Sequence, residues 1–353
     1  MPIDSADRRP IGVGLAGYGL AGAILHAPII EGLPDYRIEA VMTSRAQAGD
    51  RRDRPQVVPD IEALLAVDAV ELVVVVTPND LHAAHAGAAL RAGRHVVIDK
   101  PMAPSVAECD RLIDLAEAAG RMLSVYHNRR WDGDYRAALG LLEQGVIGRP
   151  ALYEARWDRF RPEAPAVWRN AARDGAGLLW DLGPHLVDQA IGLFGWPDAM
   201  IADVATQRAG AQADDYFELT LYYGAMRAIL SASTLVAATR PHLALHGDKG
   251  SWWTEALDPI EAALRAGRPP QSLPPIPAFR ATKDGERIAA PVAAGDPYAF
   301  YRDLAVAIRT GSAPPVDPVE ARDVVAIIAA AHAGTALPSP RGPRRLPRAV
   351  IDG

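Results

Sequence analysis

Three side chains in one short stretch have the types and spacing for proton chemistry. In Gly177-Leu-Leu-Trp-Asp181-Leu-Gly-Pro-His185-Leu-Val-Asp188-Gln-Ala190, Asp181 and His185 are four residues apart and Asp188 lies three further on. On a helix that spacing puts all three on one face. Proline is tolerated in a first helical turn, so Pro184 predicts a helix that starts near 182–184 and ends near Gly195. His185 then sits in the first turn, where the helix dipole disfavours an imidazolium. A neutral imidazole beside a carboxylate is a general base suited to taking the proton of an alcohol. The same residues also match a metal site, or a surface ion pair on an ordinary amphipathic helix, and the stretch alone does not choose.

A second chemical group stands far away in sequence. Lys100 follows the strand-like run His95–Ile98 within Asp99-Lys100-Pro101. In an open parallel sheet, ligands bind at the carboxyl ends of strands, so Lys100 is aimed at that crevice rather than being an ordinary solvated lysine. A third feature is Gly17-Tyr-Gly19-Leu20-Ala21-Gly22, after the buried run Ile11–Ala16 and before a helix-compatible stretch. Gly17 permits the tight turn, Gly19 admits a pyrophosphate close to the backbone, and Gly22 allows close helix–strand packing. An alternative register, Gly12-x-Gly14-x-x-Gly17, would put the turn inside the strand. After the next strand, Tyr36–Met42, the chain reads Thr43-Ser44-Arg45 where a dinucleotide fold specific for NAD has a carboxylate. A hydroxyl followed by arginine suits a 2′-phosphate and favours NADP, the alternative being a solvated loop arginine.

These groups need elements to hold them. Leu72–Val76 reads as a central strand buried on both faces, ending in Thr77-Pro78-Asn79-Asp80-Leu81-His82. A helix over His82–Ala92, a helix capped by Ser105 with Glu108 and stopped by Gly120, and a strand over Met122–Tyr126 complete an alternating βα pattern. The alternation stops at His127. A helix over Gly133–Gln144 is followed by strands at Ala151–Asp158, Met200–Gln207, Tyr216–Tyr223, Met226–Leu235 and His242–His246, with turns at 223–225 and 247–250. Residues 258–296, rich in Pro, Gly and Ala, are expected to be irregular. Helices are expected at Asp296–Gly311 and Pro318–Ala333. The expected class is an α/β doubly wound parallel-sheet (Rossmann) domain over 11–126, then an α+β domain with an open, mostly antiparallel sheet over 127–334. Residues 1–10 and the Pro/Arg-rich segment 335–353 are expected to be loose tails.

Composition narrows the class. With 353 residues the chain exceeds one typical core, and 49% hydrophobic and 23% charged residues are globular values. A net charge of −6 gives no basic surplus for nucleic acid or an anionic membrane. The one cysteine, Cys109, excludes an internal disulfide framework and reads as packing in a reducing, cytoplasmic setting. No apolar run at the amino end has the form of a secretory signal. An open second sheet needs covering on one face, which leads us to expect a homodimer or homotetramer.

Taken together, the glycine turn Gly17/Gly19/Gly22, Asp99-Lys100-Pro101 and Asp181-x-x-x-His185 resemble the Gfo/Idh/MocA-type family of NAD(P)-dependent oxidoreductases, typified by glucose–fructose oxidoreductase and inositol dehydrogenase, across about residues 10–335. The family's usual triplet is Glu-Lys-Pro; here Asp99 keeps the carboxylate with a shorter reach. His26-Ala-Pro28, Thr77-Pro-Asn79, His127-Asn-Arg-Arg-Trp-Asp132 and Gly247-Asp-Lys-Gly250 are similar to the branch that includes NADP-dependent scyllo-inositol dehydrogenases. The resemblance implies that Lys100, Asp181 and His185 meet under the nicotinamide as catalytic residues. It implies a cofactor site of Gly17, Gly19, Leu20, Ala21, Gly22, Ser44, Arg45, Thr77, Pro78, Asn79, His82, Lys100 and Asn128. It also implies that Arg129 and Asp188 join the catalytic residues in lining the substrate pocket. Trp168, with Trp157, Arg159 and Arg161, comes from a loop that can meet substrate hydroxyls or simply pack and solvate. The implied cofactor is NADP, with NAD possible, and no metal. The implied reaction is hydride transfer between a secondary alcohol of a cyclic polyol or sugar and the nicotinamide. Two alternatives remain: an NADPH-dependent reductase of a keto- or anhydro-sugar, and a non-catalytic dinucleotide-binding regulatory protein. Metal-dependent hydrolysis would leave the dinucleotide turn unexplained.

Overall fold

A computed structural model describes residues 9–43, 55–164, 173, 175–268 and 273–341. The first sheet contains β1 (Ile11–Ala16), β2 (Tyr36–Met42), β3 (Gln56–Val58), β4 (Leu72–Val75), β5 (His95–Asp99) and β6 (Leu123–Tyr126). Its order is β3-β2-β1-β4-β5-β6, parallel throughout. β1 and β4 are wholly buried, as their continuous aliphatic runs require of a sheet covered on both faces. Its helices are α1 (Ala27–Glu31, preceded by a π-helical turn at Ala21–His26), α2 (Ile61–Leu65), α3 (His82–Arg91) and α4 (Val106–Ala119). Ser105 caps α4, its Oγ accepting the Glu108 N–H at 3.3 Å, and Gly120 ends the helix with φ +59°. Cys109 is buried on α4, and burial pushes its thiol up to about 12, consistent with packing rather than reactivity.

After α5 (Gly133–Glu143) come β7 (Pro150–Asp158), α6 (Leu178–Phe194), β8 (Ala199–Ala205), β9 (Tyr216–Tyr223), β10 (Met226–Ser233), β11 (Leu243–Gly247) and β12 (Gly250–Thr254). Next are α7 (Ile260–Arg265), β13 (Ala278–Thr282), β14 (Arg287–Ala289), α8 (Ala299–Thr310) and α9 (Pro318–Ala333). The second sheet runs β14-β13-β12-β11-β7-β10-β9-β8 and is antiparallel except where β7 meets β10. The chain is therefore an α/β Rossmann-type domain followed by an α+β domain.

Three expectations about the elements are corrected. Residues 258–296 are not wholly irregular, because α7, β13 and β14 lie there. Cross-strand contacts carry β13 and β14: Phe279 stacks on Trp253 at 5.7 Å and the Arg287 guanidinium sits 3.7 Å from the Phe279 ring centre. Thr335–Arg341 is also held without a neighbouring subunit. Arg341 pairs with Asp110 and Asp114 of α4, each at 2.7 Å, and donates its N–H to Asp323 at 3.0 Å. Helix α6 starts at Leu178, well before Pro184, which stands in its interior.

The C-terminal helices tie the second domain back to the first. The Tyr36 hydroxyl donates to the Tyr301 carbonyl at 2.6 Å, and the Tyr301 hydroxyl meets His26 Nδ1 at 2.6 Å. Ser124 of β6 donates to the Val316 carbonyl at 2.9 Å, and Arg322 of α9 pairs with Asp110 at 3.0 Å. These links, buried at Tyr36, Tyr301 and Ser124 and partly exposed where Arg322 meets Asp110, join the two domains that flank the crevice.

Candidate active site

Helix α6 begins early because a distant residue caps it. Asp214, just before β9, accepts the Leu179 N–H on Oδ2 at 2.7 Å and the Leu178 N–H on its backbone oxygen at 2.9 Å. That satisfies amides a helix start would leave orphaned. Gly177 makes the approach possible: its φ is +96°, and a Cβ there would lie 1.9 Å from Asp214 Oδ1. Inside the helix, Pro184 offers no N–H to the carbonyl four residues back, and its ring crowds that turn. The neighbouring Asp181 carbonyl takes an outside donor, Lys100 Nζ, at 2.5 Å; the same Nζ is 3.3 Å from Asp181 Oδ1.

Lys100 reaches this point from the end of β5. Its amide donates to Asp99 Oδ1 at 3.0 Å, and that oxygen also lies 3.8 Å from His26 Nε2. Burial works to raise the Asp99 pKa, but the facing His26 and the Lys100 charge hold it below the ordinary value. The shorter Asp99 thus anchors the Lys100 backbone. His82 closes the turn from α3, with Nδ1 2.8 Å from the Pro101 carbonyl and Nε2 2.9 Å from the Thr77 carbonyl. It is 1% exposed. Expected to touch a cofactor, His82 is instead spent on clamping two strand ends together. Asn79 donates to the Gly175 carbonyl at 2.7 Å, linking the end of β4 to the segment before α6.

His185 lies near the middle of α6, buried at 7% exposure. Its ring stacks on Trp157 of β7 with centroids 5.5 Å apart, and its Nδ1 has no hydrogen-bond partner among the described residues. Burial, then the positive charges of Lys100 and Arg129, push its pKa well below the ordinary histidine value. The lowered pKa agrees in direction with the neutral imidazole expected from the sequence, but its cause is burial and the nearby cations rather than the helix start, since His185 sits two turns in. Asp188, on the same helix, is not a pocket residue. It is 1% exposed and fully engaged by Arg130, with Nε to Oδ2 at 2.9 Å and Nη2 to Oδ1 at 2.7 Å. Burial opposes its charge, yet Arg130 holds its pKa below the ordinary value. A metal site built on Asp181, His185 and Asp188 is ruled out by that guanidinium. Among the described residues no group of three or more His, Cys, Asp and Glu side chains is arranged to hold a metal ion.

Lys100, Asp181 and His185 open onto one crevice of about 580 Å³ between the domains. Leu20 and Ala21 of the glycine turn line its first-domain side, and Asn128, at the start of the second domain, lines it as well. The glycines meet the demands of a dinucleotide. Gly17 has φ +113°, and a Cβ there would lie 2.7 Å from the Val76 carbonyl oxygen at the end of β4. A Cβ at Gly22 would be 2.5 Å from the Gly17 oxygen, whereas one at Gly19 would meet nothing within 4 Å. Open backbone at Gly19, beside two sterically required glycines, fits a pyrophosphate laid over the turn. The alternative register is explained otherwise: Gly12 and Gly14 lie inside β1, where a Cβ would strike Ala69 and Leu64. Ser44, Arg45 and Trp168 fall outside the described residues.

The second-domain wall contains three of the residues the sequence offered as loop candidates, together with two it did not. Trp157, Arg159 and Arg161 alternate along β7 and its extension, and all three line the crevice, as a two-residue period requires. Arg129 is buried under Trp157, its guanidinium 4.9 Å from that ring, and is paired with Asp132 at 3.0 Å and with Glu261 of α7. Glu261 and Asp214 had no local signal. One lies in a Pro/Gly/Ala-rich region and the other 33–37 residues from the helix face it supports.

A Rossmann-type crevice with a lysine, a carboxylate and a neutral buried histidine defines an NAD(P)-dependent oxidoreductase. Comparison with known proteins agrees. Residues 11–127 match the oxidoreductase family with an NAD-binding Rossmann fold, GFO/IDH/MocA, and residues 135–253 match the GFO/IDH/MocA C-terminal domain. The chain belongs to this family. It is 40% identical over 332 residues to the NADP(+) scyllo-inositol 2-dehydrogenase IolW of Bacillus subtilis, covering 91% of this chain and 92% of that protein. It is 44% identical over 259 residues to the uncharacterized Escherichia coli oxidoreductase YdgJ, covering 73% and 75%. Among solved structures, the B. subtilis oxidoreductase YvaA superposes with a TM-score of 0.87 at 38% identity, covering 93% of this chain and 97% of that one.

Proposed function

We propose that this protein interconverts a secondary alcohol of a cyclic polyol or sugar and the corresponding ketone, with NADP as cofactor. One observation carries the reading: Leu20 and Ala21 of the glycine turn and Lys100, Asp181 and His185 face the same crevice. When bound, the nicotinamide accepts or supplies the hydride. In oxidation, neutral His185 takes the hydroxyl proton. Lys100 donates to the substrate oxygen and stabilises the developing alkoxide, or polarises the carbonyl in reverse. Asp181 holds the Lys100 ammonium in place through two oxygens. Asp99 and His82 fix the backbone on either side of that lysine. Trp157 covers one face of His185 and keeps water from it.

The NADP preference is supported by Ser44-Arg45, where NAD-specific turns carry a carboxylate, and by the NADP(+) named for IolW. The inositol-like substrate class is supported by the same relative. We also place the protein in the cytoplasm as a dimer or tetramer built on the second-domain sheet, consistent with a reduced lone cysteine and an exposed Ile201 on edge strand β8. The deciding experiment follows absorbance at 340 nm with inositols, aldoses and keto-sugars against NADP and NAD in both directions. Turnover of at least one cyclic polyol or sugar with NADP supports the reading; dinucleotide binding without turnover of any compound overturns it in favour of a binding protein.

A further inference from the structure

Positive charge in the crevice is unevenly compensated. Arg129 is matched by Asp132 and Glu261, Arg265 by Glu261 at 2.6 Å, and Arg208 by Asp215 at 2.8 Å. Lys100 is matched by Asp181. Arg159 and Arg161 differ, having no carboxylate partner among the described residues although both line the same cavity. Neither is a loose surface side chain at its root. The Arg159 amide donates to the Ser233 carbonyl at 2.8 Å and the Arg161 amide to the Thr234 carbonyl at 2.7 Å, so both backbones are stitched to the end of β10. The Arg159 guanidinium lies 5.9 Å from the Trp157 ring that stacks on His185. Partial burial lowers the Arg159 pKa, Asp181 opposing the shift and Arg161 adding to it. The same guanidinium helps depress His185. A partly desolvated, unpaired cation facing a cavity is costly unless something anionic meets it.

We propose that the substrate carries an anionic substituent, a carboxylate or a phosphate, which Arg159 and Arg161 bind beside the carbon that is oxidised. The inference rests on the oxidoreductase reading above and specifies its substrate class. Two guanidiniums on one strand face suit planar or tetrahedral oxyanions. Arg161 is exposed to solvent, but neutral hydroxyls would leave the half-buried Arg159 charge unmet. Anion binding also serves the chemistry. It offsets part of the positive potential on His185 and returns its pKa toward the ordinary value, so the imidazole becomes a stronger base when the substrate is in place.

The test uses matched compounds: neutral polyols and sugars, their aldonic or uronic acids, and their phosphate monoesters, assayed with NADP or NADPH at fixed ionic strength. The expected result is a kcat/KM at least about tenfold higher for an anionic compound than for its neutral partner. In the Arg159→Ala/Arg161→Ala double variant that ratio falls roughly ten- to hundredfold. The Kd for NADPH alone, read by fluorescence, stays within about twofold. Carboxylate and phosphate arms identify the anion. A wild-type ratio of one or below throughout overturns the proposal, as does a ratio that survives the double substitution, or a raised NADPH Kd with no change in the ratio. Should no compound of either charge turn over, the polyol or sugar reading itself fails. Calorimetric binding of the same pairs to cofactor-loaded protein then still reads the anion preference. Arg159→Lys, which retains the charge, is expected to recover part of the ratio.

Discussion

Lys100 Nζ sits 2.5 Å from the backbone oxygen of Asp181 and 3.3 Å from its carboxylate, so one helix turn positions the lysine through two oxygens of one residue. The carbonyl contact survives any change to the Asp181 side chain. Asp181→Asn is therefore expected to leave Lys100 in place and to lower kcat much less than loss of the lysine. Lys100→Met removes the donor to the substrate oxygen and is expected to cut kcat at least about a hundredfold, the scale of losing one positioned donor. The circular dichroism spectrum and NADPH affinity should be retained. Near-normal turnover of Lys100→Met would remove the lysine from the mechanism.

As the proposed base, His185 is expected to set the acid side of the pH profile. Burial and the charges of Lys100 and Arg129 depress its pKa well below 6.5. In the proposed mechanism the neutral imidazole is the competent base, so oxidation is expected above that pKa and lost as pH falls through it. The acid limb of kcat/KM should lie below pH 6.5. The stability sign is the same: the unfolded chain protonates this histidine near its ordinary value, so folding free energy is lost as pH drops below about 6.5. His185→Ala should abolish the limb and lower turnover at least about a hundredfold. An acid limb at pH 7 or above would contradict the assignment.

Cofactor choice is tested at Arg45, which follows β2 in the sequence. Arg45→Ala is expected to weaken NADP binding at least about tenfold, the value of a charge-assisted contact to phosphate, and to leave NAD binding within twofold. Equal loss for both cofactors would argue against a 2′-phosphate contact.

Asp188 separates the structural and chemical parts of α6. Its carboxylate is buried against Arg130, which also reaches Glu320 of α9 at 2.8 Å. Truncation leaves a buried guanidinium short of a partner, so Asp188→Ala should cost about 3 kcal/mol or more of stability. Lys100→Met, at a crevice surface, should cost far less. Urea denaturation of the two variants side by side is the measurement; equal stabilities would mean that Arg130 is satisfied by Glu320 alone.

What the sequence revealed follows the physics of each signal. The Gly17–Gly22 turn, the aliphatic strands around it and Lys100 at a strand end are local patterns, and they were legible. The neutral state of His185 was anticipated for the wrong reason. Its helix start was inferred from Pro184, and the true cap, Asp214, comes from a residue no local pattern points to. The family resemblance puts Asp188 in the pocket, on a helix face given by its spacing. Spacing gives a helix face, but cannot say that Arg130, 58 residues earlier, meets that face. His82 failed likewise, because its two carbonyl partners, Thr77 and Pro101, meet only in the folded sheet. Tertiary pairing was the missing information in each case.

The start of α6 gives the sharpest test of how remote capping supports the site. Gly177 adopts φ +96°, and a Cβ there would lie 1.9 Å from Asp214 Oδ1. Gly177→Ala therefore meets two penalties. The extended backbone at φ +96°, ψ 165° is nearly confined to glycine and costs about 1–3 kcal/mol with a side chain. Displacing Asp214 removes the cap on the Leu179 N–H, worth about 1 kcal/mol. The sum is a loss of about 2–4 kcal/mol. Asp214→Asn keeps the side-chain shape and a cap oxygen, so its loss should be under about 1 kcal/mol. Because the first two turns of α6 carry Asp181 and His185, Gly177→Ala should lower kcat more than it raises the NADPH Kd, whose glycine turn lies on the opposite wall. Denaturant midpoints and kcat for both variants decide it. If Gly177→Ala is as stable and as active as the parent, the Asp214 cap does not set the position of the catalytic helix.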